Sequence, residues 1–336
     1  MSAPLHIAVD AMSGDRGASV CVAATLAVAH EFADVRLTLV GREADLRREL
    51  PRRVPANVGC LYAADVVEMA DHPRDALRRK KDSSMRRALD LVKSRAAHAC
   101  VSAGNTGALM ATAHFVLKMI PGVERPAIVS SIPSRGGHTF MLDLGANATC
   151  TPAQLRQFAL MGAVLAAEQG AGAARPRVGL LNIGEEEIKG NEVVQAAHLL
   201  LAASDLNYVG FVEGHDIFAD TVDVVVTDGF TGNVALKTME GAARLIADAL
   251  REEFTRGAGR KLGALLAGPA LKALRTRLDP RRYNGASMVG LNGIVIKSHG
   301  GADAFAFQRA IEVAILEARN GLPARIEERL FSPAAS

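Results

Sequence analysis

One unit recurs along this chain: a short apolar run, a glycine-containing turn, then a segment of helical length. The first instance is the run 6–10, closed by the turn Met12-Ser-Gly-Asp-Arg-Gly17 and followed by a helix over 19–33. Further strands are expected at 35–40, 98–102, 127–131, 138–144, 177–183, 207–212, 222–227 and 293–297. Helices are expected near 85–97, 107–120, 152–169, 190–203, from about 232, and over 302–320. Apolar, β-branched strands that alternate with helices predict an α/β fold, with a mostly parallel sheet covered by helices on both faces. There is no fixed-period repeat. The reading is of one large α/β catalytic unit over 1–330.

One interval departs from the alternation. Residues 251–283 carry nine Lys or Arg against three acids, although the whole chain has a net charge of only +3. Leu262, Leu265, Leu266, Leu271, Leu274 and Leu278 recur there at helical spacing, with Gly268-Pro269 between the two groups. Proline suits the first turn of a helix. The interval reads as a protruding helical hairpin with an apolar stripe and a basic surround.

Composition removes several classes of function. Aromatic residues make up 4% of the chain, with no Trp, so a base-stacking nucleic-acid platform is not expected. The four cysteines, at 21, 60, 100 and 150, lack metal-finger spacing and read as free thiols. The amino-terminal residues have no basic leader region, and Asp10 ends the apolar run early, so a first strand is expected rather than a signal peptide. No window is long and apolar enough to span a bilayer. The P-loop, the dinucleotide GxGxxG after a strand, the GxSxG elbow and HExxH are all absent. Glu185-Glu186-Glu187 could hold a metal, but acids near a helix start more commonly complement its dipole.

The turns after the strands carry the chemistry. Five share one design: 102–107 (Ser-Ala-Gly-Asn-Thr-Gly), 143–147 (Asp-Leu-Gly-Ala-Asn), 182–192 (Asn-Ile-Gly-Glu-Glu-Glu-Ile-Lys-Gly-Asn-Glu), 228–233 (Asp-Gly-Phe-Thr-Gly-Asn) and 297–303 (Lys-Ser-His-Gly-Gly-Ala-Asp). In a parallel sheet such turns are expected at one carboxyl edge, where ligands bind. Glycine lets backbone approach a ligand, and helix starts offer free N–H groups to anions. Any one such turn is ordinary turn chemistry, but five together point to an anion site, with phosphate the commonest guest. His299, in a glycine-rich turn after a strand, is a site candidate. The basic run Arg78-Arg79-Lys80-Lys81 reads equally as a solvated helical face or a contact for an acidic partner.

These same stretches carry a resemblance. Together with 7–15 (Ile-Ala-Val-Asp-Ala-Met-Ser-Gly-Asp), 79–84 (Arg-Lys-Lys-Asp-Ser-Ser) and 211–214 (Phe-Val-Glu-Gly), the chain closely resembles the bacterial acyl-ACP:phosphate acyltransferases of phospholipid synthesis, the PlsX family. Ser13 and His215 stand where that family commonly has Gly and Arg. The resemblance implies an isocitrate/isopropylmalate dehydrogenase-like fold, shared with phosphate acetyltransferases. It implies a cytoplasmic homodimer that moves a long-chain acyl group from acyl carrier protein to inorganic phosphate, for a membrane acyltransferase to use. It implies no nicotinamide cofactor and no obligatory metal. A CoA-dependent phosphate acyltransferase or a decarboxylating dehydrogenase on the same fold is the alternative, and a membrane-surface scaffold is the non-enzymatic one.

Roles follow from the chemistry such a transfer needs. Lys189, Lys297, His299 and Asn233 are expected to be catalytic. Gly104, Asn105, Thr106, Gly107, Asn147 and Asn191, with the backbone amides of 104–107 and 145–147, are expected to bind phosphate. Arg78, Arg79, Lys80 and Lys81 are expected to meet the acidic carrier. Leu265, Leu266, Leu271 and Leu274 are expected to touch lipid, with Lys261, Lys272, Arg275 and Arg277 near anionic headgroups.

Overall fold

The computed structural model describes residues 4–169 and 175–331, so residues 1–3 of the amino-terminal stretch read above lie outside it. The first half of the chain forms β1 (Leu5–Asp10), α1 (Ala18–Glu31), β2 (Val35–Gly41), α2 (Glu43–Glu49), β3 (Val58–Tyr62), α3 (Pro73–Arg79), α4 (Ser84–Lys93), β4 (Ala99–Ser102), α5 (Thr106–Leu117), β5 (Ala127–Ser134), β6 (Gly137–Leu142) and α6 (Pro152–Glu168). The second half forms β7 (Arg177–Leu181), α7 (Glu192–Ala202), β8 (Asn207–Val212), β9 (Val224–Val226), α8 (Gly229–Thr255), α9 (Gly257–Leu266), α10 (Gly268–Arg277), β10 (Ala286–Val289), β11 (Ile294–Lys297), α11 (Ala304–Asn320) and α12 (Leu322–Phe331). Polar side chains set the helix starts: Ser83 caps α4, Asn105 caps α5, and Thr151 and Gln154 close a reciprocal capping box on α6.

The eleven strands of the described residues lie in one sheet, in the order β3-β2-β1-β4-β11-β10-β5-β6-β9-β7-β8. Side chains alternate across it with period two. Ile7 and Val9 enter a core under α1 and α11, whereas Ala8 joins the opposite face. In the far half Phe140 and Leu142 pack under α6, while Met141 faces the other way. That second face is continuous along the sheet. Ala8, Cys100, Val295, Met288, Met141 and Val225 belong to one core, against which Ala235, Leu236 and Met239 of α8 also pack.

The sheet is less uniform than the alternation suggests. β2, β3, β4 and β11 run parallel with β1, and β7, β8 and β9 run parallel with β6. Between these groups the pairs β11–β10, β10–β5 and β5–β6 are antiparallel. Three reversals leave the two groups running in opposite senses. The expectation that all five turns share one carboxyl edge is therefore corrected: they form two groups. Sheets twist by roughly 20–25° per strand, so the five steps from β4 to β9 rotate the second group by about 100–125°. The helix α8, which follows β9 of the second group, packs on the continuous face that both groups share.

The helical excursion forms as α9 and α10, with Pro269 in the first turn of α10. Neither helix has a buried residue. Leu265 and Leu266 are 75% and 77% exposed.

Candidate active site

At the ends of β1, β4 and β11 the loops form one hydrogen-bonded unit. The Ser102 hydroxyl donates to the buried Asp10 carboxylate at 2.7 Å and accepts from the Gly104 amide at 3.1 Å. Ser13 donates to the Asp10 carbonyl at 2.6 Å and accepts from the Ala103 amide at 2.8 Å. The Asp15 amide donates to the Gly300 carbonyl at 2.9 Å. Gly14 takes φ +82 there, and a Cβ on it would stand 3.0 Å from the same carbonyl, so glycine is required.

Asn105 is committed to this frame. Its Oδ1 accepts from the Ala108 amide at 2.9 Å, capping α5, and its Nδ2 donates to the carbonyls of Met69 and Asp71. Its expected role of orienting phosphate is corrected to holding the helix start. Thr106 and Gly107 lie exposed at that start, where the first amides of a helix have no internal acceptor.

Lys297 ends β11 beside them. Its ammonium donates to the carbonyls of Ala103 and Ser298. Burial is the main influence on it and brings its pKa down to about 8; Lys237 adds to the lowering and Asp15 opposes it. A lysine poised near neutrality beside an open helix start is an anion-binding arrangement. His299 is exposed. Its amide donates to Asn284 Oδ1 at 2.9 Å and its Nδ1 accepts from Gly301 at 3.0 Å, which leaves Nε2 for a ligand.

The second group centres on Asp143, which is fully buried. Its carboxylate accepts from the amides of Ile128, Gly145, Ala146 and Asn147 and from Asn147 Nδ2, at 2.7–3.2 Å. The amides of 145–147 are thus already spent, and their expected part in binding phosphate is corrected to shaping the turn. Asn147 Nδ2 also donates to Pro126, and the Asn147 carbonyl accepts from the Gly229 amide. That bond seats α8 on the turn. A Cβ on Gly229 would stand 2.6 Å from the Asn147 carbonyl, and one on Gly232 2.0 Å from the Asp143 carbonyl. Asp228 caps α8 through the Thr231 amide at 2.9 Å.

So seated, α8 links the two groups. Asn233 lies against Gly145, in van der Waals range of the Cβ that glycine lacks. Lys237, one turn further on the same helix face, acts electrostatically on Lys297. Sequence reasoning passed over Lys237 and Asp15. The i,i+4 spacing from Asn233 would have found the first, and the second ends the stretch 7–15.

The 182–192 turn follows β7. Asn191 caps α7 by accepting from Val194 at 2.9 Å, so its oxygen is occupied. Lys189 is exposed, with its backbone fixed between Glu186 and Asn182 and its ammonium making no bond to either group described above. The acids 185–187 precede α7 rather than joining its first turn, and among the described residues no metal-holding cluster of His, Cys, Asp or Glu forms.

The structure divides the basic run. Lys80 donates to the Val66 carbonyl at 2.7 Å and pairs with Asp71, tying down the loop that Asn105 also holds. Arg79 pairs with Asp75 at 3.3 Å. Arg78 and Lys81 stay exposed.

Comparison with known proteins identifies the family and the fold. The family model described as "Fatty acid synthesis protein" matches residues 5–325. A phosphate acyltransferase from Alkalilimnicola ehrlichii is 56% identical, covering 99% of this chain and 98% of its own. One from Methylococcus capsulatus is 54% identical, covering 96% of each. Among solved structures, a phosphotransacetylase from Streptococcus pyogenes shares the fold, with a TM-score of 0.63 at 15% identity over 95% of each chain. The EutD phosphotransacetylase from Staphylococcus aureus does so at a TM-score of 0.59 and 14% identity, over 94% of each chain. On the extent and identity of these matches, the chain belongs to the fatty acid synthesis protein family, among its phosphate acyltransferases, and is an acyltransferase.

Proposed function

We propose that this enzyme transfers a long-chain acyl group from acyl carrier protein to inorganic phosphate, releasing acyl phosphate and free carrier. The observation that carries the reading is that Lys297, at the α5 start, lies within electrostatic reach of Lys237 of α8, the helix whose Asn233 rests against Gly145. Phosphate held there is attracted by two ammonium groups and by the amides of Thr106 and Gly107, while Gly104, whose missing Cβ leaves room for Met85, packs the turn beneath them. One phosphate oxygen attacks the thioester carbon. The carbonyl becomes an oxyanion, then re-forms as the C–S bond breaks and the thiolate departs. A thiol of pKa near ~8.5 leaves readily, so no strong acid is required. Positioning and fixed donors supply the acceleration. His299 Nε2 donates to the oxyanion or the leaving sulfur. Lys189, as a catalytic group, and Asn191, as a phosphate contact, complete the set from the neighbouring turn. No cofactor or metal takes part.

Arg78 and Lys81, with Arg79, form the contact for the acidic carrier. The unit over 1–330 works as a homodimer in the cytoplasm, peripherally attached to the membrane or to a membrane acyltransferase. The hairpin of α9 and α10 supplies that attachment through Leu265, Leu266, Leu271 and Leu274, with Lys261, Lys272 and Arg275 toward anionic headgroups. Arg277 is left out of that set because it donates to the carbonyls of Ser134 and Arg135. Among the described residues no helix is long and apolar enough to cross a membrane.

The test is to incubate the protein with acyl-ACP, with and without phosphate, and to measure free carrier and acyl phosphate. Phosphate-dependent release of both supports the reading. Release from acyl-CoA but not from acyl-ACP would favour the CoA-dependent alternative.

A further inference from the structure

A cavity of about 250 Å³ opens at the opposite end of β4 and α5 from the catalytic loops, lined by Val92, Lys93, Arg95, Val116, Leu117, Lys118 and Asn292. We propose that it is a second anion site, separate from the catalytic one, that takes a small phosphomonoester.

The backbone supports this. Lys118 follows α5 with φ 65 and ψ −178, a conformation essentially confined to glycine. Arg95 follows α4 with φ 59, again where glycine is the usual occupant. Two adjacent helices thus end on strained basic residues, and both residues line the same cavity. Glycine would close either helix more easily, so what these positions gain is the cation.

Charge and packing agree. Among the described residues Lys93, Arg95 and Lys118 form no ion pair. Lys118 is steadied instead by the Phe115 ring, 4.9 Å from its ammonium. Two helix C-termini present about half a negative charge each, so three cations leave an excess of about two positive charges. Asn292 is held by its amide to the Lys118 carbonyl at 3.0 Å, and among the described residues its side chain makes no bond. Gly293 lets this turn close on the floor, since a Cβ there would stand 2.8 Å from Val92. The floor of Val92, Val116 and Leu117 is buried, which strengthens any charge interaction above it.

Size selects the ligand. The volume lies just below the range typical of drug-sized ligands. It suits a phosphoryl group carrying a short chain, the phosphoryl on the three cations and the chain over the apolar floor. Since α5 spans 12 residues, about 18 Å of helix separates this cavity from Thr106.

The test uses the full-length protein and calorimetric titration with glycerol 2-phosphate, a short phosphomonoester, and with inorganic phosphate as competitor. The wild type should bind the ester saturably, with phosphate competing more weakly because it leaves the floor empty. Lys93→Ser combined with Lys118→Gly should weaken the ester at least about tenfold while acyl transfer stays unchanged. Lys118→Gly alone should unfold at no lower temperature than the wild type, which separates lost binding from lost structure. Ester binding that survives in the double variant would overturn the proposal. So would equal competition by phosphate, or binding of polyglutamate with none of the ester.

Discussion

Replacing Lys297 by Met should make the protein more stable and much less active. A lysine brought from its ordinary 10.5 down to about 8 sits where the ammonium is disfavoured by about 3 kcal/mol relative to the unfolded chain. Methionine keeps most of the volume and removes that penalty. The bonds to Ala103 and Ser298 are lost, at about 1 kcal/mol each. The net gain is about 1 kcal/mol at pH 7, or roughly 2 °C in Tm for a chain of this size. The pH dependence identifies the cause. A lysine whose folded pKa is lowered destabilises fully below about 8, and the penalty fades as the unfolded chain also deprotonates toward 10.5. The wild type should therefore overtake the variant across that window. Turnover should fall about 10²–10³-fold, as when one fixed donor to a reacting centre is removed. Thermal unfolding from pH 7 to 10.5, with acyl transfer measured alongside, tests both parts. A variant less stable by the same margin at every pH, with turnover intact, would refute the reasoning.

Other perturbations test other parts of the account. Glu317 is fully buried against Ser287 and Gln169, and burial pushes its carboxyl up to about 8. The folded state then holds a proton that the unfolded chain releases above 4.5, so stability falls by up to about 5 kcal/mol as pH rises from 4.5 to 8. Glu317→Gln should flatten that slope in denaturant titrations. Gly232→Ala forces a Cβ to 2.0 Å from the Asp143 carbonyl; α8 should shift and turnover drop about 10²-fold, while circular dichroism shows the fold retained. Arg78→Glu with Lys81→Glu should raise the KM for acyl-ACP and flatten its salt dependence, with a carrier-free acyl thioester affected less. Leu266→Glu with Leu271→Glu should abolish sedimentation with anionic liposomes yet leave a dimer by light scattering; a monomer would assign these leucines to the interface.

The elements that fix the site were mostly legible as residues, but their relations were not. Apolar runs and glycine turns located nearly every parallel strand, because strands buried on both faces are apolar throughout. The strand β10, Ala286-Ser-Met-Val289, was not expected: four residues between glycines are too few to show a period. Its loss concealed the reversal of strand sense, since one more or one fewer antiparallel step flips every later strand. The engagement of the 145–147 amides is hidden from the sequence for a different reason. Asp143 lies in the same motif, but only the folded turn shows its carboxylate facing back on them. Lys80 looked like its three neighbours until its bond to Val66 appeared, a contact spanning a loop that periodicity does not describe.

The central claim is that one phosphate is held jointly by Lys297, from the first group of strand ends, and by Asn233, from the second. A double-mutant cycle of Lys297→Met and Asn233→Ala on kcat/KM for phosphate tests it most directly. If both contact the same anion, losing one should make losing the other cheaper, with a coupling of about 1 kcal/mol or more, a factor of at least about five. Effects that add within about 0.5 kcal/mol would mean that the two groups serve separate ends, and the joint site would be wrong.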